Sequence, residues 1–421
     1  MSMSMMKEEE EQEERWSKGL PEHILQLIPQ RLCISDYQLF RQVCPNWRAA
    51  VDKGIATKTC PPAPQLPWLL FRRSYDCLHA FYIKDKYSCI RDPKFFPSIN
   101  IADYPPGPPN LEDESFDGPL PIPTASITCL GSIGSWLIVA AHQQCENDNS
   151  TTVVNLFLNP VSRVRVMLPS QSTLKTSFSG NSTMLFNKIV ASSPPEPTTG
   201  LQKEDCLLAG LVHPGILAFC RPNDTSWTLI DPDTAPRFSD IEIFDGKLYA
   251  VTNSGNEMLM VFDMAPEDAN VSSANRYLSI CWIPYQYLPG SEWGYPCLAK
   301  ESASKELFMV LRQRNIEEGF KVYKTDGKID RLHGRMWEPV TDLGDRILFL
   351  SDKSTNVIND KTLGKNCIYF AFTCKRGYDG GFGVYSLKDS SITQLSGLPE
   401  DYSSSISGAN SQTLWFTPCP Y

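Results

Sequence analysis

The chain has 421 residues, 42% of them apolar, a formal net charge of −9 and a pI near 5.2. That length leaves room for two domains, or for one large domain after a small head. The acidic balance excludes the basic stripe of a nucleic-acid binder and argues against docking on an anionic membrane surface.

Residues 1–15 carry Glu8-Glu9-Glu10-Glu11 and Glu13-Glu14, a run that reads as a solvated, disordered tail. The start shows no apolar block of a leader, and no apolar run approaches a membrane span. The fourteen cysteines therefore read as reduced core thiols, and the chain is expected in the cytoplasm, the nucleus or both.

Residues 16–58 form a helical pattern. Leu20-Pro21-Glu22 predicts a helix start, with Pro21 in the first turn where its missing N–H costs nothing. Ile24, Leu25, Ile28 and Leu32 give one apolar stripe. Pro29 is expected to kink or end this helix near Ile28. Ser35-x-x-Gln38 is a capping-box pattern opening a second helix, on which Tyr37, Phe40, Val43, Cys44, Trp47 and Ala50 fall three or four apart. Two such helices bury too little surface to stand alone. They must pack on the rest of the chain or on a partner.

Residues 59–67, with Pro61, Pro62, Pro64 and Pro67, read as a stiff connector. From residue 68 to 421 short β-rich runs alternate with Gly, Asn, Asp and Pro turns. Five hairpins are predicted, with first strands at 136–141, 215–220, 247–252, 306–311 and 367–372. Their second strands fall at 154–158, 227–230, 259–264, 320–325 and 383–387. Leu248, Leu307 and Ile368 recur at intervals of 59 and 61 residues, and tryptophan-bearing elements follow at 280–284 and 336–340. Self-similarity of this kind in an all-β chain predicts a β-propeller of six or seven blades. The run 413–417 is expected to pair with 68–71 and close the ring. The proline-rich stretches 103–124 and 192–204 read as loops.

L-P-E-x-I-L-x-x-I-x-x-R-L from Leu20, with D-Y-x-x-F-R-x-V-C-x-x-W-R from Asp36, resembles the F-box. The resemblance implies docking on a Skp1-type adaptor and through it a cullin. It assigns the contact to Leu20, Pro21, Ile24, Leu25 and Ile28, with Val43, Cys44 and Trp47 completing the helical core. Gln65-Leu66-Pro67-Trp68-Leu69, Phe244-x-Gly246-Lys247-Leu248-Tyr249-Ala250-Val251 and Gly383-Val384-Tyr385-Ser386-Leu387 look like the plant F-box proteins with a KIB-type, kelch-related β-propeller. Such a protein is implied to select substrates for an SCF-type ubiquitin ligase.

Chemical motifs are sparse. The sequence contains no Cys-x-x-Cys, no G-x-S-x-G and no P-loop, and the five histidines are scattered. Cys367 and Cys374 read as core thiols. Gly377-x-x-Gly380-Gly381-x-Gly383 joins two strands and reads as a hairpin turn. Asp231, Asp233, Glu242 and Asp245 lie near turns, and a glycosidase would need two such carboxyls to converge at about 5 or 9 Å. The expectation is a non-enzyme with no catalytic residue, metal or cofactor. Tyr285, Tyr287, Trp293 and Tyr295, among prolines and glycines, are expected on a loop that contacts a substrate protein; packing between blades is the other reading. The alternative function is a propeller enzyme or small-ligand binder with a non-functional F-box.

Overall fold

The structure is a computed structural model that describes residues 20–32, 34–57, 65–72, 78–92, 127–144, 151–161, 164–174, 185–195, 206–221, 224–230, 236–252, 258–263, 277–282, 293–301, 303–313, 315, 317, 319–327, 337–373, 380–398 and 412–419. Among these residues no helix is long and apolar enough to cross a membrane.

Among its described residues the head has three short α-helices. Helix α1 spans Glu22–Leu27, with Pro21 as the residue before its first turn. Pro29 does end it: a 3-10 turn, Pro29–Arg31, takes over immediately. The pattern from Tyr37 to Ala50 is not one helix but two, α2 (Ile34–Phe40) and α3 (Pro45–Ala56). Pro45 is the cause. It lacks an N–H and stands at the first position of α3, where the Cys44 carbonyl accepts the Arg48 N–H at 3.1 Å. Helix α2 also starts two residues earlier than the Ser35 cap would place it, and the Gln65 side-chain oxygen accepts the Ile34 N–H at 3.2 Å.

Beyond the connector the described strands form six sheets. Apolar residues fill consecutive strand positions, so each strand is buried on both faces. In Glu306–Gln313, for example, Leu307, Met309 and Leu311 face one neighbouring sheet while Phe308 and Val310 face the other. Such sheets stack face to face around an axis, and six buried clusters lie between consecutive blades.

Blade 1 is Trp68–Arg72, His79–Asp85 and Ser88–Asp92, with Gln412–Phe416 as its innermost strand. Blade 2 runs outward through Ile127–Ile133, Trp136–Gln144, Thr151–Leu158 and Arg165–Met167. Blade 3 is Phe186–Ala191, Leu208–Val212, Ile216–Cys220 and Thr228–Leu229. Blade 4 is Phe238–Phe244, Lys247–Thr252, Met258–Asp263 and Tyr277–Trp282. Blade 5 is Trp293–Glu301, Glu306–Gln313, Phe320–Thr325 and Glu338–Val340. Blade 6 has five strands, ordered Thr355–Asn359, Arg346–Ser351, Cys367–Phe372, Gly381–Ser386 and Ser391–Gln394. Its second and third strands are parallel, with Ile347 opposite Cys367 and Ser351 opposite Ala371. All five predicted hairpins are present, and the two tryptophan-bearing elements are the outer strands of blades 4 and 5.

The ring closes as the two ends of the β region demand. Trp68 pairs with Phe416, Leu69 with Trp415 and Leu70 with Leu414 in an antiparallel ladder. Two glycines show why the geometry needs them. Asp245 and Gly246 both have positive φ, 48° and 73°, in the two-residue turn between Phe238–Phe244 and Lys247–Thr252. A Cβ on Gly131 would sit 2.1 Å from the Ile189 carbonyl oxygen, so blades 2 and 3 approach only because that side chain is missing.

The head is not a free appendage. Leu25, Ile34, Tyr37, Phe40, Ala50 and Val51 share one buried cluster with Trp68, Leu70 and Ala80 of blade 1 and with Leu137, Val139 and Leu156 of blade 2.

Candidate functional site

The head separates its apolar residues into two sets. Leu25 is only 3% exposed and belongs to the internal cluster. Leu20, Ile24, Ile28, Cys44 and Trp47 are half-buried, and the Trp47 ring packs tilted against Phe40 with ring centroids 4.3 Å apart. Pro21 is exposed. Val43 is 60% exposed in the turn between α2 and α3, outside the helical core it was expected to complete. Two further leucines are exposed that the stripe did not single out, Leu27 at 53% and Leu39 at 47%. Their signal was available: neighbours one or two positions apart on a helix do not share a face. Leu27 stands two residues after the buried Leu25, and Leu39 just before the buried Phe40.

The aromatic segment resolves differently. Tyr285 and Tyr287 lie outside the described residues. Trp293 and Tyr295 are not on a loop; their backbone belongs to the innermost strand of blade 5, Trp293–Glu301. Trp293 pairs with Gln313, the register then shifts, and pairing resumes at Pro296 opposite Leu311. A proline at an irregularity removes no ladder bond there, which is why its presence did not exclude a strand.

At the axis, buried charges from neighbouring blades neutralise one another. The Lys188 ammonium contacts Asp240 Oδ1 at 2.6 Å, and Asp240 Oδ2 accepts the Leu298 N–H at 2.7 Å. These contacts tie blades 3, 4 and 5. Burial pulls the Lys188 pKa down, but the charges of Asp240 and Glu242 outweigh it and hold the group above its ordinary value. Lys300 lies 3.0 Å from Glu242 and donates to the carbonyls of Ala191 and Ile243 at 3.3 and 3.0 Å. Glu242 is thus an inter-blade ion-pair member, while Asp245 is exposed in its turn. Asp231 and Asp233 lie outside the described residues. Arg346 contacts Glu301 at 3.3 Å and also meets Glu306, whose other oxygen receives Lys324 at 2.8 Å. Among the described residues no cluster of His, Cys, Asp and Glu is placed to hold a metal. Burial pushes the free thiols of Cys129 up to about 11 and Cys89 up to about 12, so both stay protonated. Cys367 is likewise a buried free thiol, and Cys374 lies outside the described residues.

Comparison with known proteins agrees with this architecture. Residues 108–386 match the KIB1-4 beta-propeller family, and residues 18–55 match the F-box domain. The putative F-box protein At5g66830 of Arabidopsis thaliana is 25% identical, covering 96% of this chain and 93% of its own. The Arabidopsis thaliana F-box protein SKIP23 is 24% identical, covering 91% of this chain and 92% of its own. Among solved structures, the β-propeller domain of Myceliophteria thermophila Cps50 (Swd1) is 9% identical with a TM-score of 0.32, covering 78% of this chain and 95% of that one. The chain belongs to the KIB1-4 β-propeller family and carries an F-box domain ahead of a six-bladed, mainly β propeller.

Proposed function

We propose that the chain is the non-catalytic substrate-recognition subunit of an SCF-type ubiquitin ligase, acting in the cytoplasm, the nucleus or both. The F-box head docks a Skp1-type adaptor, and through it a cullin. The propeller holds a substrate protein. Nothing is transformed on this chain itself. It raises the effective concentration of a substrate lysine near a thioester carried by another subunit.

One observation carries the reading. Six large hydrophobic side chains are exposed among the described residues, and three of them, Leu27, Leu39 and Val43, lie in the small head. Scattered exposed leucines need no explanation, but such a concentration on one module does. The head's inner set is already covered by blades 1 and 2, so its outer set is the part left for a partner. The F-box match supports the identity of that partner.

The test is co-elution of the full chain with a Skp1-type adaptor in size-exclusion chromatography. Wild type is expected to co-elute. Leu27→Asp combined with Val43→Asp is expected to elute alone with an unchanged melting temperature, because both positions are solvent-exposed in the free chain. Equal co-elution of wild type and variant rejects the docking assignment.

A further inference from the structure

The head and the closing strand lie far apart in the sequence and meet in one core. In blade 1, Leu70 pairs with Leu414 and Trp68 with Phe416. Successive residues of a strand point to opposite faces. Leu69, Phe71 and Trp415 face blade 6, in a cluster with Ile347, Phe349 and Tyr369. Trp68, Leu70, Leu414 and Phe416 face the other way, in the cluster that also holds Leu25, Ile34, Tyr37 and Phe40 of the head. The core on which the head is seated is therefore built in part by the strand that closes the ring.

The head has little of its own to hold it together. Its α-helices have 6, 7 and 12 residues. Isolated helices shorter than about 12–15 residues are marginal in water. Its ion pairs, Arg41 with Asp52 at 2.6 Å and Lys53 with Glu22 at 2.8 Å, lie at the surface, where such pairs contribute little. The propeller supplies the cover. Ile34, Tyr37 and Val51 are fully buried in the shared cluster. The connector adds a second tie, because Gln65 Oε1 accepts the Ile34 N–H that starts α2. The exposed Leu27 and Leu39 are carried on the same helices as the buried Leu25 and Phe40. Order in the outward surface thus follows from the seating of the inward one.

We propose that adaptor docking and ring closure are coupled: the head presents its docking surface only on a ring closed by Gln412–Phe416, so a chain without that strand is not loaded into a ligase. The inference rests on the adaptor reading of the head. The head is synthesised long before the closing strand, and the coupling makes docking wait for a finished propeller. Coupling of this kind is reciprocal, so an adaptor bound to the head stabilises the propeller against unfolding. A head joined only by a flexible tether would show neither effect.

Calorimetric titration of a Skp1-type adaptor into the full chain tests it, beside Phe416→Ala and Ile241→Ala, at a temperature where each variant is folded by circular dichroism. Phe416 and Ile241 are both fully buried, but Ile241 lies between blades 3 and 4, in a cluster that contains no head residue. Phe416→Ala is expected to weaken adaptor binding at least about fivefold, the lower end of typical couplings. Ile241→Ala is expected to stay within about twofold, the scatter of independent sites. Pulse proteolysis of the wild-type chain in urea, reading survival of the propeller, needs no variant. Saturating adaptor is expected to raise the urea midpoint at which the propeller becomes cleavable. Wild type that binds no adaptor overturns the adaptor reading, and this inference with it. Binding that Phe416→Ala leaves unchanged, or that both variants weaken alike, overturns the coupling alone. If Phe416→Ala does not fold, the urea midpoint decides, and a midpoint unmoved by bound adaptor overturns the coupling.

Discussion

Trp415→Ala removes the side chain on which ring closure depends. Trp415 is fully buried in the C-terminal strand that forms the inner edge of blade 1. Its indole N–H donates to the Leu350 carbonyl at 2.9 Å, and its ring stands edge-on to Phe349 with centroids 5.0 Å apart. Its backbone N–H and C=O both meet the Ser354 hydroxyl, at 2.7 and 2.8 Å. The alanine variant keeps those backbone bonds and loses the rest. Emptying a tryptophan site in a core costs about 3–5 kcal/mol. Leaving a buried carbonyl without its side-chain donor adds about 1 kcal/mol or more. The sum is a large part of the about 5–15 kcal/mol available to a folded domain. Urea unfolding followed by far-UV circular dichroism is expected to show a transition shifted by about 4–6 kcal/mol. Trp415→Phe, which keeps most of the volume but not the N–H, should fall between the two, about 1–3 kcal/mol below wild type. If Trp415→Ala unfolds within about 1 kcal/mol of wild type, the range of an ordinary substitution, closure does not rest on this strand.

Asp240→Ala strands a buried ammonium at Lys188 and is expected to cost about 3–5 kcal/mol, whereas Asp240→Leu with Lys188→Met should cost clearly less. Equal losses in chemical denaturation would show that the pair does not act as a unit. The Glu306 carboxyl is held below its ordinary value because Lys324 and Arg346 outweigh the opposing effect of burial. A depressed carboxyl stabilises the fold above its unfolded value and loses that contribution as pH falls through the folded one. The stability gap between wild type and Glu306→Gln should therefore be full above pH 4.5 and close below it, and a gap independent of pH contradicts the assignment.

Much of this fold can be read from one sequence because buried strands advertise themselves. Cys367–Phe372 is apolar at every position, as only a strand covered on both faces can be, and it lies within the bounds its sequence predicts. The closing pair was legible for the same reason. The head was less so. Three-and-four spacing from Tyr37 to Ala50 continues straight through Pro45, so periodicity alone merges two helices that the missing N–H separates. Helical spacing separates Leu25 from Leu27, but which of the two faces inward depends on the blades that cover it. The strand containing Trp293 and Tyr295 was hidden by Pro296, which sits at a register shift. Contacts such as Lys188 with Asp240, 52 residues apart, leave no local trace at all.

Adaptor docking is tested most directly by titrating a Skp1-type adaptor into the full chain by calorimetry, beside the Leu27→Asp, Val43→Asp double variant. Wild type should bind one adaptor per chain. The double variant should lose at least about tenfold in affinity, about 1.4 kcal/mol, at the same melting temperature, because charges then enter an apolar contact. An adaptor that fails to bind wild type, or that binds the double variant equally well, would contradict the assignment of the exposed head residues as a docking surface.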